Sequence, residues 1–246
     1  MRRLAVEFDG EVEISFVMAG IRELPSRADA ASEWLAASAA SGMPVDVRMW
    51  LDGGPSTSYP ACLAVTAAAE QGSPAAFLRA VREGLAVGGR RLDHAEAFES
   101  VARERGGLDL DRFRIDMGSH AVLEAFGEDL ERARGVDSAH HTAEQGRVAL
   151  PSIEFRAADG AVFGVYGPAA YDAYRDAAIA AGATPSGAAP PPPVEALRRF
   201  GPMATAEVAE VCRLPGPRAA AELWRLAEEW QVRADRTLGG EMWTLA

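Results

Sequence analysis

At 246 residues, the chain is long enough for one large domain, or for one of medium size with a smaller companion. Hydrophobic residues make up 48% and charged residues 25%, the balance of a globular protein that buries a core. The net charge of −11 opposes phosphate backbones and anionic lipid, so nucleic acid and membrane are excluded as first readings of its partners.

The segment Met1 to Asp9 carries a basic pair but no apolar stretch of the secretory kind. No segment reaches the roughly 20 apolar residues of a spanning helix, so a cytoplasmic protein is expected. Leu4 and Phe8 suit the last turns of a helix that Asp9-Gly10 then breaks. Val12, Ile14, Phe16 and Met18 alternate with mostly polar neighbours, which predicts a strand over 11–18. A chain that opens on a helix tail running into a strand predicts that something precedes it.

From Ser26 to about His140 the pattern is helical. Ser26-Arg27-Ala28-Asp29 reads as a capping box. Ser58-Tyr59-Pro60 and Ser73-Pro74 place a capping residue at the start of further helices. Others are predicted over 91–105, 109–117 and 120–134. The pattern then changes. Residues 148–155, entered through Pro151, and 161–166 read as two strands around an Asp159-Gly160 turn, with a helix from Gly167-Pro168 to about Ala181.

The run Pro190 to Pro193 cannot join a packed element, so 184–193 is read as a semi-rigid linker. Beyond it come a short helix over 194–200, a second capped by Thr205, and a third after Pro215-Gly216-Pro217. In the third, Ala220, Leu223, Ala227 and Trp230 form one apolar face. Two strands follow around Gly239-Gly240. Three helices and a hairpin give the order of a winged helix. Over 194–246, however, seven arginines meet eight acids, which is no footprint for a DNA groove. An interaction or packing module is expected.

The chemistry-bearing residues are few. Cys62 and Cys212 are the chain's two cysteines and form neither a Cys-x-x-Cys nor a zinc spacing. Cys62 falls in the first turns of a helix, where the dipole favours a thiolate. Its neighbours Ala61, Leu63 and Ala64 favour burial as a small hydrophobe, so it is a weak catalytic candidate. Cys212, beside Val208 and Val211, is weaker. His140-His141 lack ligands at a diagnostic spacing, and His94 and His120 stand alone, so neither a metal nor another cofactor is expected.

Five stretches carry a resemblance. Ser41-Gly42-Met43-Pro44-Val45-Asp46, Ser58-Tyr59-Pro60-Ala61-Cys62-Leu63-Ala64-Val65 and Ala67-Ala68-Ala69-Glu70-Gln71-Gly72 resemble the inserted helical domain of DsbA-like thiol–disulfide oxidoreductases. Phe77 to Glu83 resembles that family's next helix, and Leu150-Pro151 the loop where thioredoxin folds carry a cis-proline. The resemblance spans roughly 1–182. It implies an α/β, thioredoxin-like fold at 1–25 and 146–183, an all-α insertion at 26–145, the linker at 184–193 and a winged-helix-like domain at 194–246. It also implies that Leu150 and Pro151 bind an extended substrate, where the plain reading is a proline opening a strand.

The family's first strand and its Cys-x-x-Cys lie upstream of sequence resembling Arg2 to Phe8, and this chain starts inside that helix. Without both sulfurs a dithiol cycle cannot turn. The resemblance thus implies protein or peptide thiol substrates, in a form expected to be redox-inactive as given. Two other readings stay open: a non-enzymatic adaptor that binds a protein partner, and an isomerase related to glutathione transferase kappa or 2-hydroxychromene-2-carboxylate isomerase. A missing central strand would also expose sheet edges, so a rearrangement or a homodimer is expected.

Overall fold

The computed structural model describes residues 1–72, 74–142 and 146–246. In chain order these form α1 (Arg2–Glu7), α2 (Arg27–Ser41), α3 (Arg48–Leu51), α4 (Tyr59–Ala69), α5 (Pro74–Ala86), α6 (Ala95–Arg105), α7 (Leu110–Met117) and α8 (His120–Arg134). Then follow β1 (Ser152–Arg156), β2 (Val162–Tyr166), α9 (Tyr171–Ala180), α10 (Pro193–Phe200), β3 (Met203–Ala204), α11 (Thr205–Val211), α12 (Pro217–Glu228), β4 (Val232–Thr237) and β5 (Gly240–Leu245). The chain divides into two compact units, 1–19 with 124–189 and 20–123 with 190–246. No described helix is long and apolar enough to cross a membrane.

The first unit is built around an antiparallel hairpin, Ser152↔Tyr166 through Arg156↔Val162. Leu4, Phe8, Phe155 and Ala178 form its core, with Val12, Ile153, Phe163, Tyr171 and Tyr174 packed around them. A helix of six residues is too short to persist alone, so α1 depends on these neighbours. Polar ties add to the packing. The Tyr171 hydroxyl donates to Glu7 Oε2 at 2.7 Å, and Arg175 Nε donates to Glu7 Oε1 at 2.6 Å. The Arg3 guanidinium lies 3.6 Å above the Tyr171 ring. Burial, then the Glu7 carboxylate, raises the Tyr171 pKa.

The strand expected over 11–18 does not form. The main-chain groups of 12–17 find no partner among the described residues. Alternation supplies a face to bury, whereas a strand also needs a neighbour to hydrogen-bond. The segment is pinned instead at Met18, whose N–H donates to Asp129 Oδ2 at 2.7 Å.

In the second unit, α2 to α7 are followed by α10 to β5. The Ser26 hydroxyl accepts from Asp29 N–H and starts α2 as expected. Ser58 precedes α4 but its hydroxyl does not cap it: Ser58 Oγ accepts the Ile21 N–H at 2.7 Å across the preceding loop. Pro74 opens α5, and the cap read at Ser73 lies outside the described residues. Phe77 meets Phe113 edge-on at 5.2 Å, as Trp34 meets Trp50 at 5.3 Å.

The C-terminal stretch forms a sheet in the order β3-β5-β4, antiparallel throughout. β3 has only two residues, too few for a strand pattern to show in the sequence. The β4–β5 turn is Leu238-Gly239, since Thr237 already pairs with Gly240. Thr205 is not a cap but the first residue of α11, and its hydroxyl accepts from the indole N–H of Trp243 at 2.9 Å. The buried face of α12 is Ala219, Leu223 and Leu226 rather than the predicted row, because Trp230 falls beyond the helix end and is 86% exposed.

Within this unit an ionic clamp joins α5 to the start of α11. Arg79 donates from Nη1 and Nη2 to the two Glu207 oxygens, each at 2.7 Å, and from Nε to Glu83 at 2.6 Å. Glu207 Oε2 also accepts the Ala204 N–H at 3.0 Å, satisfying a donor at the helix start. Paired donors in a rigid fork make the Arg79–Glu207 contact directional as well as attractive.

Candidate functional site

The sequence directs attention to the corner before β1. The Leu150–Pro151 peptide bond is cis. The corner is braced on both sides. Val148 N–H donates to Ala133 O at 3.3 Å and Ala149 N–H to His140 O at 2.8 Å. Ser152 Oγ bonds Ala149 O and accepts the Gly167 N–H at 3.2 Å, tying the entry of β1 to the exit of β2. Between these ties Leu150 and Pro151 stay exposed, Leu150 at 44%. The N–H and C=O of Leu150 have no partner among the described residues. An apolar side chain in solvent beside a free main-chain donor and acceptor can bind an extended segment.

Beside this corner, the His140 ring stacks on Tyr166 at 4.1 Å and 17°. The Tyr166 hydroxyl donates to Glu154 Oε1 at 3.1 Å. Burial first, and the Glu154 carboxylate second, push the Tyr166 pKa up, so it remains a neutral donor. The sequence reading saw no role for His140. Its stacking partner lies in β2 and is found through the fold, not through spacing.

Cys62 lies in the other unit. It is half-buried in the first turns of α4, with its Sγ 3.9 Å from Ser58 Oγ. Arg82 is close enough for its charge to be felt at Cys62, while burial lowers the Arg82 pKa. Cys212 is buried, and that burial pushes its thiol up to about 11, which leaves it protonated and unreactive at neutral pH. Among the described residues no three His, Cys, Asp or Glu side chains are grouped to hold a metal ion. The structure therefore joins Leu150 and Pro151 in one exposed corner.

Two comparisons bear on this arrangement. A family model described as Thioredoxin matches residues 1–141. The ClpXP adapter protein SpxH of Halalkalibacterium halodurans is 31% identical over 150 residues, covering 56% of this chain and 49% of that protein. The chain thus spans about half the length of the curated relative it matches.

Proposed function

Because this chain belongs to the thioredoxin family, with an α/β thioredoxin-like fold rich in helices, we propose that it is a DsbA-like member that binds a protein partner as an adaptor. The observation that carries this is the Leu150-Pro151 corner, which offers an exposed apolar residue beside a main chain without a partner among the described residues. The similarity to a ClpXP adapter supports the same reading. The chain would present a bound protein to a ClpXP-type protease in the cytoplasm.

In this reading Leu150 and Pro151 line the partner-binding corner. The 1–25 and 146–183 segments form the thioredoxin-like domain, 26–145 the helical insertion, and 194–246 a winged-helix-like module. The net charge of −1 in that last segment suits a protein contact better than a DNA groove.

The test is reconstitution. Proteins cross-linked to the chain in cells are identified, purified, and offered to ClpXP with and without it. Degradation at least several-fold faster with the chain is the expected result. An unchanged degradation rate overturns the proposal.

A further inference from the structure

In the first unit the outer edge of β2 is unpaired. The Ala157 N–H donates to Ala161 O at 2.9 Å and closes the hairpin. In the alternation of an antiparallel ladder, Phe155 and Phe163, then Ile153 and Val165, exchange their main-chain bonds. Val162, Gly164 and Tyr166 therefore aim their N–H and C=O outward. Among the described residues these groups have no main-chain partner.

Edges of this kind are normally guarded by charge, proline or a covering element. From Val162 to Tyr166 there is neither charge nor proline, and Val162 is 43% exposed. Along this edge runs a groove of about 640 Å³ whose far wall is α9. The α9 residues facing it include Ala173, Ala177 and Ala180, spaced as one helix face. The α9 wall is small-sided where a neighbouring strand, roughly 4.8 Å from β2, would run, and the His140 ring stacked on Tyr166 lines the groove as well.

The fourth α9 residue on this wall is Asp176, whose side chain is 76% exposed. Its nearest cation is Arg175 at 4.0 Å, and the Arg175 Nε is already committed to Glu7. At the Tyr166 end the charges are mixed, with Arg156 and Asp137 both felt there. The lane is thus apolar along the strand, with the Asp176 carboxylate exposed on its α9 rim. A second copy of this chain, itself at −11, would set like charge against that rim, whereas a basic segment would find its complement.

We propose that the outer edge of β2 and the alanine face of α9 form a docking lane for an extended segment of a partner protein, apolar at alternate positions and carrying an arginine or lysine toward Asp176. The segment adds as a third strand. This rests on the reading of the chain as a protein-binding adaptor and names the kind of segment it would take.

The test uses the full chain and a display library of random 12-residue peptides, selected against the immobilised protein. Peptides with alternating apolar residues and at least one basic residue are expected. Their affinity falls tenfold or more with Val162→Pro, which removes one outward N–H and leaves the β1–β2 bonds intact, and with Ala180→Trp, which fills the lane from an exposed position. Asp176→Arg weakens them several-fold. Thermal melts confirm that each variant is folded, and the two helix-surface variants decide the case if Val162→Pro is not. Enrichment of no peptide overturns the lane, as does binding indifferent to the lane variants, or a dimer that Val162→Pro dissolves. Peptides that bind but ignore the variants leave the adaptor reading standing. Lane-dependent peptides without faster ClpXP degradation instead remove the adaptor reading.

Discussion

Two stretches of this chain have opposite fates. Residues 11–18 alternate as a strand should, yet the main chain of 12–17 pairs with nothing among the described residues. Residues 240–245 place Met242 and Trp243, both buried, side by side against that alternation, yet β5 is the central strand of its sheet and is paired along both edges. The difference lies in the neighbours. β5 has β4 two residues away through the Leu238-Gly239 turn, and β3 delivered by the start of α11. The 11–18 segment has packing on one side and no ladder. Burial pattern describes what a strand faces, and pairing decides whether it is one.

The sharpest way to break this comparison is to cut one side chain from each stretch. Trp243 is fully buried, meets Trp224 edge-on at 5.0 Å and donates to Thr205. Trp243→Ala should cost about 3–5 kcal/mol, the range for a large buried aromatic. Ile14 is 37% exposed and belongs to no ladder, so Ile14→Ala should cost under about 0.5 kcal/mol. Urea unfolding followed by far-UV circular dichroism measures both. Similar losses at the two positions would show that pairing is not what separates the stretches.

Much of the fold was legible in the sequence because the signals were local. Ser26 caps α2, Asp159-Gly160 turns the first hairpin and Pro217 opens α12. The two misread caps share a cause: each depends on a residue far along the chain. Ser58 looked like a cap, but its hydroxyl answers to Ile21. Thr205 looked like another, but it answers to Trp243. The corner at Leu150-Pro151 was visible as a motif, because a proline at a strand entry stands out in one dimension. The lane beside β2 was not, since its walls come from β2 and from an α9 face whose alanines carry no signal until the helix is set against the strand.

A second contrast concerns how the paired stretch is held in its own unit. Glu207 accepts from Arg79 and from the Ala204 N–H, so it serves both a charge pair and the strand–helix junction next to β3. The pair is partly screened, with side chains 27% and 16% exposed. Glu207→Ala removes both functions and should cost about 1–3 kcal/mol. Glu207→Gln keeps an acceptor for Ala204 and should lose less. Equal losses in the two variants would assign the whole effect to the charge.

A smaller effect sits where the β4–β5 turn meets the helical part of the same unit. A Cβ at Gly239 would stand 2.9 Å from the main-chain N and O of Val45, so the turn rests directly on that backbone. The next residue, Asp46, is buried, and its carboxylate accepts from the Arg48 guanidinium and main-chain N–H. These bonds, the guanidinium's above all, hold the Asp46 carboxyl below its ordinary value of 3.8. A group depressed on folding stabilises above its unfolded pKa, and the contribution is lost as pH falls through the lower folded value. Stability should therefore drop below about pH 4, and Asp46→Asn should remove part of that drop, under about 1 kcal/mol given how exposed Arg48 is. Other carboxylates paired with arginine, such as Glu104 and Glu222, shift the same way, so the difference between wild type and variant isolates Asp46. Thermal melts of both proteins at pH 6 and pH 3 measure it. The gap in Tm should narrow at pH 3, and a constant gap would mean that Asp46 stabilises the turn's support without its charge.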